Sequence, residues 1–100
     1  MIRKERTDCE MLYKAILSLD NAEECAAFLE DICTIQEIEA MAQRLEVARR
    51  LSLGESYADI NVSTGASTAT IGRVSKALNY GTGGYEGVIS KVYGEMSNDK

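Results

Sequence analysis

Apolar residues recur at three- and four-residue intervals over most of the chain, which is the spacing of amphipathic helices. The first stripe covers residues 9–19 and follows Thr7 or Asp8, either of which can cap a helix. Asp20 or Asn21 can cap a second helix, whose first turn is acidic. The pattern therefore predicts two helices in the first third of the chain.

A third, longer helix is predicted to begin at Thr34, which forms a capping-box pattern with Glu37. No helix breaker follows until Gly54, which we expect to cap its C-terminus. Its apolar seam consists of Ile38, Met41, Leu45 and Ala48, with Leu51 or Ser52 next in register. The first three helices are too small to close a core alone, so part of this seam is expected to lie across a dimer interface.

The segment from Tyr57 to Lys76 has the pattern of a helix-turn-helix. Ser56 begins a short helix, Gly65 occupies the turn, and Ser67 caps a second helix that stops near Gly81. Four apolar residues match the inward positions of such a motif: Ile60, Ala66, Ile71 and Val74.

Two positions fit this motif less well. Asn61 stands where a small residue is usual, and Thr64 stands where an apolar residue is usual. The alternative is a plain helical hairpin whose second helix begins with an exposed run of serine and threonine, because two-helix turns containing glycine are common.

The outward face of the second helix is the predicted DNA-contacting surface. The seven candidate contact residues are Ser67, Thr68, Ala69, Thr70, Gly72, Arg73 and Lys76, and Asn79 completes the face. Short hydroxylated side chains at a helix N-terminus approach phosphates closely, aided by the free N–H groups there. Thr68 and Ala69 are placed to touch base edges or a thymine methyl group, whereas the two cations are better placed for phosphate.

A last helix is predicted over residues 84–94, after a flexible glycine-rich joint, and residues 97–100 should fray. The sequence thus predicts a single all-α domain of about six helices. Residues 8–54 would form the dimerisation helices, and residues 56–79 the helix-turn-helix.

Composition narrows the function. The 100 residues include no proline, no tryptophan and no histidine, so the commonest general base is missing and we expect no enzyme. The net charge is −5, but it is unevenly distributed. Residues 1–42 carry four basic and ten acidic groups, whereas residues 43–80 carry five basic and three acidic groups. Only the middle segment therefore favours an anionic partner.

The three cysteines are Cys9, Cys25 and Cys33, which have no CxxC spacing and lie among apolar residues at helical intervals. We expect them to be buried free thiols, with neither a disulfide nor a metal role. The N-terminus has no apolar run behind its charges, and no stretch approaches the length of a membrane span. A cytoplasmic protein without membrane contact is expected.

The run from Gln36 to Tyr85 resembles the Trp repressor superfamily, most closely its YerC/YecD-type branch. The blocks AQRLEVARRL, TGASTATIGRV and LNYGTGGY carry the specific likeness, and KAILSLDNAEEC extends it upstream. The resemblance implies an all-helical, intertwined homodimer that presents two helix-turn-helix heads to double-stranded DNA.

In this family a tryptophan effector binds beside the recognition helix. The resemblance matches four residues here to that pocket: Thr34, Arg44, Thr70 and Arg73. Two departures count against tryptophan: Val74 replaces a glycine, and Ala77 replaces the serine that meets the ligand's amino group. We therefore expect no cofactor, and an amino-acid effector is the less favoured alternative. Gly72 also replaces a hydroxylated residue, which either alters base specificity, softens the helix, or reflects drift at a tolerant position.

The first hypothesis is a dimeric, sequence-specific DNA-binding transcriptional regulator, and specifically a repressor. Arg73 and Lys76, with Arg49 and Arg50 as further candidates, would supply phosphate contacts. The alternative is a helical protein-interaction module that keeps the fold without binding DNA, which the net acidic charge and Gly72 favour.

Overall fold

The computed structural model describes the backbone of residues 2–97 and the side chains of residues 8–94. Within this part of the chain there are six helices and no strand, which confirms the all-α fold class. The helices are α1 (Ile2–Leu17), α2 (Ala22–Ile32), α3 (Ile35–Ser52), α4 (Tyr57–Thr64), α5 (Thr68–Tyr80) and α6 (Gly84–Ser97). The chain divides between Ile38 and Glu39 into two compact units.

The first helix begins earlier than the hydrophobic pattern predicts. Because α1 starts at Ile2, Thr7 and Asp8 lie inside the helix, and the prediction that one of them caps it is wrong. The residues that precede the apolar stripe include lysine, arginine and glutamate, which favour helix without creating an apolar face. Periodicity therefore could not locate this boundary.

Asn21 is the residue that caps α2. Its side-chain oxygen accepts the Glu24 N–H at 2.8 Å, and the Glu24 carboxylate accepts the Asp20 N–H at 2.9 Å. These two reciprocal bonds satisfy backbone donors that the helix itself leaves unpaired. The choice between Asp20 and Asn21 is thereby decided.

The described side chains of the first unit form no closed core. None of its described side chains, from residue 8 to residue 38, is buried. The prediction of three buried thiols is wrong for Cys9, which is exposed, while Cys25 and Cys33 are half-buried. The helices carry the apolar stripes that the sequence shows, and the described side chains of these stripes are exposed or half-buried.

Both ends of α3 follow the predicted chemistry. At its start the Thr34 hydroxyl accepts the Glu37 N–H at 3.1 Å, and the Glu37 carboxylate accepts the Thr34 N–H at 2.8 Å, which completes the capping box. At its end Gly54 has a φ of 87°, and the Glu55 N–H donates to the Arg50 carbonyl at 3.1 Å. This left-handed turn ends the helix and leads directly into α4.

The second unit has a small, closed core around the two short helices. Six side chains are buried there: Val47, Ala48, Ile60, Ala66, Ile71 and Val74. Leu51, Tyr85 and Ile89 pack against this cluster, so α3 and α6 both support α4 and α5. All four inward positions predicted for the helix-turn-helix are therefore confirmed as buried.

The last helix begins after Gly83, which has a φ of 88°. It extends to Ser97, three residues beyond the predicted range of 84–94. Fraying was predicted for residues 97–100. Ser97 is the last residue of α6. Residues 98–100 lie outside the described residues.

Candidate nucleic-acid interface

Two serine caps and one glycine set the geometry of the helix-turn-helix. The Ser56 hydroxyl accepts the Asp59 N–H at 3.1 Å and starts α4. Gly65 ends α4 in the left-handed region, with φ 75° and ψ 1°, where a side chain would be strained. Two residues later the Ser67 hydroxyl accepts the Thr70 N–H at 3.1 Å and starts α5.

Hydrogen bonds explain the two residues that fit the motif poorly by sequence. The Asn61 amide donates to the Ala66 carbonyl at 2.8 Å. The Thr64 hydroxyl donates to the Ile60 carbonyl at 2.7 Å and accepts the Ala66 N–H at 3.1 Å. Ala66 is 1% exposed, so its backbone groups need partners inside the protein. Polar side chains at 61 and 64 supply them.

Gln43 adds a connection that the sequence pattern does not reveal. Its amide, on α3, donates to the Thr64 carbonyl at the end of α4 at 3.1 Å. This bond ties the long helix to the turn between the two short helices. A glutamine on a helix face gives no sequence signal for such a contact, because its partner lies 21 residues away.

The outward face of α5 is exposed as predicted. Five of the seven candidate residues are exposed: Ser67, Thr68, Ala69, Arg73 and Lys76. Thr70 and Gly72 are half-buried, and the Thr70 hydroxyl accepts a hydrogen bond from Ser67 at 3.2 Å. Opposite this face, Ile71 and Val74 enter the core. Packing of one side of α5 therefore leaves most of the candidate residues exposed on the other.

The same face includes Tyr80, which the sequence pattern marks only as the end of the helix. Ala69, Arg73, Lys76 and Tyr80 follow at intervals of four, three and four residues, which places all four in one row along α5. Tyr80 is 84% exposed. Helical spacing from Ala69 was the signal that would have found it.

Arg49 and Arg50 are paired with carboxylates. Glu46 accepts from Arg49 at 2.7 Å and from Arg50 at 2.8 Å, and Arg50 also donates to Glu55 at 3.1 Å. The hydrogen bond from Arg49 is the main cause that lowers the pKa of Glu46. The bonds to the carboxylates raise the pKa of both arginines. These four charges balance each other.

Four cations of the second unit stand apart from this network. Among the side chains of residues 8–94, Arg44, Arg73, Lys76 and Lys91 take part in none of the ion pairs. All four are exposed. Their charges are therefore available to an anionic partner, and two of them lie on the outward face of α5.

Of the four residues predicted for an effector pocket, Thr34 has its hydroxyl in a helix cap, whereas Arg44 and Arg73 are exposed. The Thr34 hydroxyl is engaged in the cap of α3, and Val74 is 2% exposed within the core. An open apolar cavity of about 630 Å³ does lie in the second unit. Its lining consists of Leu45, Ala77, Gly81, Thr82, Gly84, Tyr85 and Val88. Neither Arg44 nor Arg73 belongs to that lining, so the cavity lacks the cations expected for a carboxylate ligand.

Neither a metal cluster nor a membrane span is found among the described residues. Within this part of the chain, no three cysteine, aspartate or glutamate side chains are grouped so that they could hold a metal ion. None of the described helices combines the length and the apolar character needed to cross a bilayer.

The fold and this surface define the class: an all-α protein built around a helix-turn-helix. Residues 7–93 match the family model described as Trp repressor protein. The chain is also 52% identical over 85 residues to the uncharacterized protein YerC of Bacillus subtilis (strain 168), an alignment that covers 85% of this chain and 82% of that protein.

Two solved structures have the same fold. A TrpR-like protein from Eubacterium eligens ATCC 27750 is 49% identical, with a TM-score of 0.83 over 86% of this chain and 89% of that chain. A candidate Trp repressor from Staphylococcus aureus is 41% identical, with a TM-score of 0.85 over 93% of this chain and 94% of that chain. The chain belongs to the Trp repressor family.

Proposed function

We propose that this protein is a sequence-specific DNA-binding transcriptional regulator that acts as a homodimer. The observation that carries the proposal is the outward face of α5, which is exposed, short-chained near its N-terminus and basic towards its C-terminus. Small residues at the N-terminus allow the backbone to approach base edges, as helix-turn-helix recognition requires. A family of regulators rather than enzymes agrees with this surface.

Arg73 and Lys76 are the phosphate contacts in this proposal, and Thr68 and Ala69 are the candidates for base contact. Arg49 and Arg50 play a smaller part than their charges suggest, because Glu46 and Glu55 already pair with them. With so few unpaired cations in each head, affinity should depend on salt, but less steeply than for a strongly basic protein.

The homodimer is supported by the first unit, whose described side chains form no buried core. Two heads held by one dimer would read a palindromic site with half-sites about one helical turn apart. Repression is the proposed sign of regulation, in keeping with the family, and the cytoplasm is the proposed location. The proposal includes no cofactor, since Val74 and Ala77 stand where the tryptophan pocket of the family has a glycine and a serine.

Selection of oligonucleotides from a random double-stranded pool, with and without amino acids, tests this function. We expect enrichment of palindromic sites that does not depend on tryptophan. Fluorescence anisotropy on an enriched site should then show weaker binding by Arg73→Ala combined with Lys76→Ala. The matched control is Lys91→Ala, which removes an exposed cation from α6, outside the helix-turn-helix.

Two results would contradict the proposal. One is the absence of any enriched sequence at about 50 mM salt, where phosphate contacts are strong. The other is equal binding by the double variant and the Lys91→Ala control. Purification of a protein partner that covers the α5 face, together with no DNA affinity, would instead favour the interaction module.

A further inference from the structure

Tyr80 is an exposed aromatic residue whose position no core contact explains. At 84% exposure it is among the most exposed large side chains of the described chain. The surrounding backbone favours this arrangement: Gly81 donates its N–H to the Ala77 carbonyl at 2.9 Å, and a Cβ on Gly81 would overlap that carbonyl oxygen. A residue with a side chain at position 81 would therefore require the backbone at the end of α5 to shift.

The length of α5 determines what lies opposite Tyr80 if α5 is the recognition helix. Tyr80 follows Ala69 by eleven positions, which corresponds to about 16 Å along a helix axis. The major groove of DNA is about 12 Å wide. When the N-terminal end of α5 faces base edges, the far end of the same row reaches the sugar-phosphate backbone that borders the groove.

We propose that the Tyr80 hydroxyl donates a hydrogen bond to a phosphate oxygen of the bound DNA, beyond the contacts of Arg73 and Lys76. This inference rests on the proposed DNA-binding function and adds one neutral contact to it. Tyrosine is a regular donor to DNA phosphates. A neutral donor fixes the orientation of the helix on the duplex without displacing a counterion.

That difference in charge supplies the test. Binding of wild-type protein, Tyr80→Phe and Lys76→Gln to a selected oligonucleotide is measured by anisotropy at several salt concentrations. Tyr80→Phe should weaken binding about three- to tenfold, the effect of removing one hydrogen bond, at every salt concentration. Lys76→Gln should instead reduce the dependence of affinity on salt, by about one counterion for each phosphate that is no longer neutralised.

Lys91→Ala is the control, since Lys91 is also exposed and lies on α6, outside the helix-turn-helix. Sedimentation of each variant reports its oligomeric state. If the wild-type protein binds DNA and Tyr80→Phe binds it with the same affinity, this inference is overturned and the proposed function is not. An equal loss of affinity in Tyr80→Phe and Lys91→Ala would also overturn this inference, as would a changed oligomeric state that places Tyr80 in a contact between copies of the chain. Failure of the wild-type protein to bind any DNA would overturn the proposed function and this inference with it.

Discussion

Gly65 and Gly72 are two glycines with different backbone conformations. Gly65 has a φ of 75° at the end of α4, whereas Gly72 lies within α5, and a Cβ at either position meets no atom within 4 Å. Substitution by alanine therefore tests backbone preference alone at each site.

Gly65→Ala should destabilise the fold by about 1–2 kcal/mol because the left-handed conformation disfavours a side chain.

Gly72→Ala should stabilise the fold by about 1 kcal/mol, since alanine is the better helix former. Urea unfolding of the three proteins at one fixed concentration measures both effects. Destabilisation by Gly72→Ala would show that α5 does not accept a side chain there. If the variant is more stable but binds DNA less tightly, the glycine serves close approach to DNA; unchanged binding would favour drift at a tolerant position.

Single residues mark the limit of prediction from sequence. The inward positions of the helix-turn-helix follow from spacing, because burial repeats with the period of the helix. Asn61 and Thr64 look unsuited to the motif by the same logic, yet their polar atoms pair with the backbone of Ala66 and Ile60. Such bonds depend on where the turn places the chain, which periodicity does not encode.

Val47 shows a second limit. It is fully buried, although the predicted seam of α3 includes Ala48 and not Val47. A seam describes the narrow stripe that two helices share, whereas α3 also supports the core of α4 and α5 and so buries a wider arc. Sequence periodicity identified the helix but underestimated how much of its surface the core would use.

At the scale of helices, the capping chemistry was the most predictable part of the fold. Three hydroxyl residues begin helices by accepting backbone N–H groups: Thr34, Ser56 and Ser67. Two glycines end helices because they adopt a positive φ without strain: Gly54 and Gly65. The start of α1 was not predictable, because its first residues have no such cap and no apolar stripe. Boundaries are readable from sequence where a specific side chain satisfies the helix end.

The ion-pair network at the end of α3 makes stability depend on pH. Because Arg49 and Arg50 stabilise the charged carboxylate of Glu46, the folded state holds its pKa below the ordinary 4.5. The charged group contributes stability above pH 4.5, and that contribution is lost as the pH falls through the lowered pKa of the folded state. Glu46→Gln should lower the free energy of unfolding at pH 7 by about 1 kcal/mol or less, as expected for a partly exposed pair.

Urea unfolding from pH 7 to below pH 4.5 checks this dependence, and the wild-type and Glu46→Gln curves should converge at the acidic end. Glu39→Gln is the control, since Glu39 is an exposed glutamate of the same helix. A constant difference between wild type and Glu46→Gln across the whole pH range would mean that packing of the side chain, and not its charge, is responsible.

Among residues 8–94, a closed core is found in the helix-turn-helix unit and not in the first unit. The helix-turn-helix unit buries six apolar side chains, whereas the first unit, from residue 8 onward, buries none. Apolar faces that stay exposed are costly in water, at about 25 cal/mol for each Å². A partner surface would remove this cost from the first unit, and in the proposed homodimer a second copy of the chain covers these helices and is covered by them.

If a second copy covers the apolar cavity of the helix-turn-helix unit, a charge there should weaken the dimer. Val88 lines this cavity and is 47% exposed, whereas Val62 lies on α4 and is 83% exposed. Val88→Asp should lower the thermal midpoint and shift sedimentation towards the mass of one chain, because burial of an unpaired carboxylate is unfavourable. Val62→Asp should leave the thermal midpoint and the sedimentation unchanged.

Wild-type protein should also gain thermal stability with increasing concentration, as linked folding and association require. A wild-type midpoint independent of concentration, together with sedimentation as a single chain, would exclude the dimer and leave the exposed faces of α1 and α2 for a different partner.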